Sequence, residues 1–374
     1  MIVAFIPEGL LPTVTLSLAQ GVTRMAKEHA LVKDLNSVET LGETTVICSD
    51  KTGTLTQNQM TIDHLWLASH EYAVSGEGYV NNGHIQLDNQ DVDVATQPDL
   101  QMLLRVSALN NDTKVVAPEK AGDNPKIIGT PTEAALIILA EKTGLNVEEE
   151  AKKVPRIGEL PFDSDRKRMS TFHQVDGKNT ICVKGSLDGI LPISDTILDN
   201  GKPRPITDAD RKQINDADKK YAAEGLRSLA IAYRDASDDA DLPEDPKDWT
   251  IENAEQHLTF VGLTIMEDPP RPEIFEAVRK CHDASIRIIM VTGDSALTAK
   301  SIAVKIGIAS DKARVITGDE LAAMHKGELK EALKGEVIFA RVAPEQKYRI
   351  VSTLQSLGEI VASTGDGVNL SLIQ

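Results

Sequence analysis

The chain predicts an α/β protein in which a doubly wound parallel-sheet domain is split by an inserted α+β domain. Three observations carry this. After about residue 258, apolar runs of strand length alternate with helical segments, and repeated strand–helix units imply a parallel sheet with right-handed crossovers. A short apolar run, TTVIC, ends just before Asp50 and reads as a buried strand. From about His64 the pattern changes to polar, acidic and glycine-containing segments that suggest hairpins and loops.

Residues 1–38 come first. MIVAFIPEGLLPTVTLSLA is apolar and long enough for most of a membrane span, but Pro7, Glu8, Gly9 and Pro12 break it. It reads as a buried helix with a Pro-Glu cap, or as a proline-broken partial transmembrane helix. Arg24, Lys27 and Lys33 follow, which places its exit on the cytoplasmic side. A carboxylate at such a break is a candidate ion ligand. Residues 20–43 continue as a helix and connecting stalk.

Residues 39–63 hold the strand TTVIC and the Asp50 turn. The insertion spans 64–258. Within it, 99–110 and 132–143 look helical, TICVK (180–184) and LAIAY (229–233) look like strands, and the acidic stretch 234–249 is a surface loop. Residues 259–374 resume the parallel domain. LTFVGLTIM, IRIIMVTGD, VIFARV and EIVASTGDG are its strands, with helices at PEIFEAVRKCHDAS, SALTAKSIAVKIG and PEQKYRIVSTLQSLG.

Composition excludes some classes. A formal net charge of −17 argues against nucleic-acid binding through the phosphate backbone. Cys48, Cys182 and Cys281 are sparse and far apart, so they give no disulfide framework or metal-ligand spacing and point to a reducing compartment.

The chemistry concentrates at strand ends, where open α/β sheets bind ligands. Asp50 closes the first strand, and Lys51, Thr52, Gly53 and Thr54 form a hydroxyl-rich turn. A carboxylate there can attack a phosphoryl group and form a covalent intermediate, and Gly53 lets backbone approach a phosphate closely. Alone, such an aspartate reads equally as a helix cap or a turn acid. Three later strands end in Thr292-Gly293-Asp294, in Lys347 at a helix start, and in Thr364-Gly365-Asp366-Gly367 with Asn369. Singly, these read as ordinary caps and surface groups.

The heptapeptide DKTGTLT at 50–56 resembles the phosphorylation motif of the P-type cation-transporting ATPases, which belong to the haloacid dehalogenase superfamily. IPEGLLP resembles the unwound fourth transmembrane helix of type II pumps, which implies a transported-cation role for Glu8. The resemblance implies Asp50 as phosphoryl acceptor, Lys347 and Thr292 as stabilisers of the transferring oxygens, and Mg2+ held by Asp50, the Thr52 carbonyl and Asp366. DPPR (268–271) resembles the family's hinge and nucleotide-contact segment, with Asp268 and Arg271. In the insertion, GTPTEAAL, LPFDSDRKRMS, VKG and GLRSLAIAYR resemble the nucleotide-binding domain. Phe162 maps to the residue stacking on adenine, Lys184 and Gly185 to its pocket, Glu133 and Lys167 near it, and Arg227 toward the phosphates. Thr52 occupies the position where phosphatases of the superfamily carry a leaving-group acid, which favours a long-lived aspartyl-phosphate.

The family implies a membrane protein with its main domains in the cytoplasm. Its partners would be ATP, lipid and a cation of calcium or sodium/potassium type. Some positions depart from the pattern. Ser164 replaces a basic residue, KGSLD replaces KGAPE, Leu370 replaces an aspartate, and no TGE loop occurs. These imply a central piece truncated at both ends, with weak or absent catalysis and no transport by itself. Two other readings stay open: a non-catalytic ATP-binding remnant, and a soluble haloacid dehalogenase-type phosphatase.

Overall fold

The structure is a computed structural model describing residues 10–35, 37–68, 70–76, 78–79, 81–116, 125–175, 177–237, 242–243 and 245–365. It is a mixed α/β fold with parallel and antiparallel sheets. The chain divides into two compact units, Met1–Leu55 with Arg271–Gln374, and Thr56–Pro270.

In the first unit the strand Val46–Ser49 lies between Arg287–Met290 and Val361–Thr364, parallel to both. A second parallel pair, Arg314–Thr317 with Val337–Ala340, joins through a bridge from Val291 to Phe339. Side chains alternate across a strand, and the core follows that period. Val46, Cys48, Ile289 and Phe339 pack on one face with Leu321, Leu329, Leu333, Ile350 and Leu354. Ile288, Met290, Ile338 and Ala340 pack on the other with Val278, Ala299, Ile302 and Ala303. Helices therefore cover both faces, which is why the strands read as continuous apolar runs rather than alternating ones.

The helix Leu10–Lys27 belongs to this unit and is 18 residues long. Pro12 fits because it lies in the first turn, where no intrahelical N–H bond is lost. Thr13, Thr15, Ser17, Gln20 and Thr23 interrupt its apolar run, and Leu10 and Leu16 are exposed. Among the described residues no helix is long and apolar enough to cross a membrane, so the expected partial span is not seen in this segment. Glu8 lies outside the described residues.

The second unit is built on one large sheet. Its path runs from Gln90–Asp91 through Ile85–Leu87, His70–Val74, Thr61–Leu67, Leu258–Glu267, Arg227–Asp235, Lys178–Gly185 and Arg168–Val175 to Arg156–Asp163, with every pairing antiparallel. Period two again sorts the core. Leu65, Leu67, Ile231 and Tyr233 face the helices Pro98–Leu109 and Pro131–Lys142, whereas Trp66, Ala230, Ala232 and Phe260 pack with Ile214 and Tyr221 of the helix Asp208–Ala223.

One strand differs from expectation. LTFVGLTIM was expected to open the second parallel series, but Leu258–Glu267 pairs antiparallel with Thr61–Leu67 and Arg227–Asp235 inside the second unit. All but its last residue are buried, so it carries the unbroken apolar pattern of a parallel strand while lying between two antiparallel neighbours, and its first residues also pair parallel with Ser194–Asp199 off that path. Pattern alone does not separate the two.

Candidate functional site

Asp50 follows the central strand of the first unit, and its backbone N–H donates to the Thr364 carbonyl at 3.1 Å. The position is therefore fixed by the sheet itself. Donors among the described residues reach its carboxylate. The Lys51 amide bonds Oδ1 at 2.8 Å, and the Lys347 ammonium bonds Oδ2 at 2.5 Å. Lys347 reaches it from the first turn of the helix Pro344–Gln355, whose proline at the first position needs no N–H partner.

Lys51 points elsewhere: its ammonium pairs with Asp294 Oδ2 at 2.6 Å. Asp294 is set by the turn after Arg287–Met290, where its amide donates to the Thr292 hydroxyl at 3.1 Å and its carbonyl accepts from the Arg341 amide at 2.8 Å. Thr292 itself is buried, with its amide on the Phe339 carbonyl and its carbonyl on the Val342 amide. Asp50, Thr52, Thr292, Gly293, Asp294, Val342, Pro344 and Lys347 line one cleft of about 340 Å³. The strand ends thus bring together residues up to 297 positions apart.

The turn between Asp50 and Leu55 is tight. Thr52 (φ −70°, ψ 128°) and Gly53 (φ 72°, ψ −8°) are its central pair, and the positive φ at Gly53 is what a side chain would resist. Arg271 donates to the carbonyls of Gly53 and Thr54. The donor set suits a hard cation, since the Asp50 carboxylate and the Thr52 carbonyl offer oxygen atoms. Asp366 and Asn369 lie outside the described residues.

In the second unit, sheet register collects the expected nucleotide residues at one end. Asp163 pairs with Arg168, Arg168 with Gly185, and Gly185 with Ala230, three residues after Arg227. Phe162, Lys167, Lys184 and Arg227 therefore lie at the same edge of four adjacent strands. Phe162 is 64% exposed, so it is no part of the core. Gly185 is required by close approach, because a Cβ there would sit 2.4 Å from the Lys167 carbonyl oxygen.

Glu133 and Lys184 are both buried and paired at 2.6 Å. Lys184 also donates to the Asn110 carbonyl at 2.5 Å, and Glu133 accepts from the Thr113 hydroxyl at 2.9 Å. Burial pushes the Glu133 carboxyl up, but the Lys184 charge and these donors hold it below its ordinary value. Burial lowers Lys184, more than Glu133 raises it.

Asp268 lies in the second unit, where it accepts from the Thr56 hydroxyl at 2.5 Å and the Gln59 amide at 3.2 Å. Sequence reasoning missed Glu255. Its buried carboxylate accepts from Arg166, from Arg168 Nε at 2.7 Å and from the Ser170 hydroxyl at 2.6 Å, fastening the base of the turn that carries Lys167. The DRKR run at 165–168 hints at a buried acid partner, but nothing in the sequence marks residue 255 as that partner.

Residues 99–273 match a family profile described as P-type ATPase, cytoplasmic domain N. Over 98% of its length the chain is 42% identical to "Cation-transporting ATPase pma1" of Synechocystis, covering 40% of that protein. It is similarly 40% identical to "Calcium-transporting ATPase 1" of Bacillus cereus and 38% identical to "Calcium-transporting ATPase" of Bacillus subtilis, covering 38% and 40% of them. The chain belongs to the P-type cation-transporting ATPase family, and it spans about two fifths of the length of these curated relatives.

Proposed function

We propose that the chain forms the phosphorylation and nucleotide-binding portion of an ATP-driven cation pump, working through an aspartyl-phosphate on Asp50. The observation that carries this is the cleft at the strand ends, where Asp50, Lys347, Thr292, Asp294 and Thr52 converge. In this reading the first unit is the haloacid dehalogenase-like phosphorylation domain, and the second is the inserted nucleotide-binding domain.

An Asp50 oxygen attacks the γ-phosphorus of ATP. The new O–P bond forms as the bond to the β–γ bridging oxygen breaks, and ADP leaves with that electron pair. Lys347 shields the nucleophile's charge from the incoming phosphoryl and then faces its oxygens. The Thr292 hydroxyl accepts from the Asp294 amide and keeps its single proton to donate to a phosphoryl oxygen. Asp294 pairs with the Lys51 ammonium, while Lys347 lies on Asp50. Mg2+ would be held by Asp50, the Thr52 carbonyl and Asp366, and when bound it would neutralise phosphate charge, with Asn369 a further candidate catalytic residue.

Phe162 offers an exposed ring for adenine, with Lys167 and Arg227 toward the phosphates. Glu133, Lys184 and Gly185 form the packed floor beneath. The transported cation is of the class in the relatives' names, calcium included, with Glu8 as one ligand in a membrane segment. Thr52, two residues after the nucleophile, supplies neither the leaving-group acid nor that acid's deprotonated form as a base for water, which distinguishes this site from a phosphatase.

Incubation of the full chain with γ-labelled ATP and Mg2+, followed by acid quench, tests this. The expected product is an acid-stable, hydroxylamine-labile label. Nucleotide binding without label would favour the alternative, an ATP-binding remnant.

A further inference from the structure

The angles at Thr52 and Gly53 are those of a type II β-turn spanning Lys51–Thr54. A type I turn differs by a flip of roughly 150–170° in the peptide between them, which reverses the Thr52 carbonyl. Glycine tolerates both forms, so Gly53 permits the observed direction without fixing it. Arg271 supplies what glycine lacks. Its Nη2 donates to the Gly53 carbonyl at 2.9 Å and its Nε to the Thr54 carbonyl at 3.1 Å. Its backbone N–H donates to the Leu55 carbonyl at 3.0 Å, which anchors the arginine beside the turn. A planar fork on two successive carbonyls is a geometry that a lysine cannot reproduce.

Among the described residues the ion pair this side chain makes is long, 3.9 Å to Glu273, and 40% of the arginine side chain is exposed. A surface pair of that kind contributes little. The carbonyl bonds, with a charged donor, are the stronger use of the guanidinium.

We propose that Arg271 is a positioning residue for phosphoryl transfer: by gripping the Gly53 and Thr54 carbonyls it holds the turn in its type II form and fixes the direction of the Thr52 carbonyl beside Asp50. The proposal rests on Asp50 as nucleophile and on the Thr52 carbonyl as a magnesium ligand. It gives Arg271 a role apart from the nucleotide contact that the family resemblance implies.

Arg271→Lys in the full chain tests it by two readouts. In the ligand-free protein, amide exchange across residues 52–56 is expected to quicken about tenfold, with exchange elsewhere unchanged. In phosphorylation, the Mg2+ concentration for half-maximal label is expected to rise about tenfold, while metal-free ATP binds as in the wild type. Gly53→Ala, which opposes a positive φ without touching the arginine, should reproduce the magnesium effect. Unchanged exchange and magnesium dependence, with ATP affinity reduced, would make Arg271 a nucleotide contact and overturn the proposal. An unaltered magnesium requirement in Gly53→Ala would overturn the turn-type explanation. If the wild type forms no label at all, the Asp50 reading fails, and the exchange measurement alone decides whether Arg271 holds the turn.

Discussion

Two lysine–carboxylate pairs, one in each unit, are alike in length and burial and unlike in surroundings. Asp50 meets Lys347 at 2.5 Å, with side chains 10% and 12% exposed. Glu133 meets Lys184 at 2.6 Å, with side chains 11% and 9% exposed. The Asp50 pair opens on a cleft of about 340 Å³ rimmed by Thr292, Asp294 and Thr52. The Glu133 pair is closed by the Thr113 hydroxyl, the Asn110 carbonyl and, more weakly, the Asp112 amide and Thr130 hydroxyl at 3.4 Å each. The ion pair alone says nothing of chemistry. In the proposed function, the open cleft beside Asp50 is what would let it act as a nucleophile, where the closed surroundings of Glu133 leave a structural acid.

The largest effects separate the pairs. Asp50→Asn should abolish acid-stable labelling from γ-labelled ATP, whereas Glu133→Gln should leave it detectable. Residual hydroxylamine-labile label in Asp50→Asn would break the comparison at once. Conversely, Glu133→Ala strands a buried ammonium and should cost about 3–5 kcal/mol in urea unfolding. The double change Glu133→Gln with Lys184→Met should recover much of that loss, because no buried charge remains. A single mutant as stable as wild type would show that Glu133 is not the structural member.

A third effect sharpens the picture of the second unit. His173 is buried, with Nδ1–H on the Val154 carbonyl and Nε2 accepting from the Thr171 hydroxyl at 3.0 Å. Burial pushes its pKa down to about 4. The unfolded chain, near the ordinary 6.5, binds the proton more readily, so the neutral histidine's stability is fully present above about pH 6.5 and is lost as pH falls toward 4. The loss over that window should be about 3 kcal/mol. His173→Gln should flatten the curve of unfolding free energy against pH. Glu133, also held below its ordinary value, adds acid sensitivity in the same direction.

The smallest expected effect is at Phe162. As an exposed side chain, its change to Ala should shift stability by less than about 0.5 kcal/mol. Loss of adenine stacking should weaken ATP binding roughly tenfold, measured by calorimetry. Unchanged affinity would remove Phe162 from the site.

The candidate cleft was legible because its residues sit in short local patterns at strand ends: DKTGTLT, TGD and the lysine after Ala343-Pro344. Their convergence follows from parallel strand order, which the βα rhythm announces. The second unit was legible only in part. Burial of the Glu133–Lys184 pair, and the Glu255 carboxylate joining Arg166, Arg168 and Ser170, depend on contacts between distant strands that leave no local signature. Leu258–Glu267 misled for the same reason: a strand buried on both faces looks alike in parallel and antiparallel sheets. Arg271 was visible as part of DPPR, but its bonds to the carbonyls of Gly53 and Thr54 were not, since backbone acceptors carry no residue type.

The central claim is that Asp50 takes the phosphoryl group. Borohydride reduces an acyl phosphate to an alcohol, so trapping the labelled protein and mapping its peptides locates the acceptor directly. Homoserine in place of Asp50, present only after incubation with ATP and Mg2+, is the predicted result. An unreduced Asp50 in a labelled protein, or reduction at another carboxylate, would contradict it.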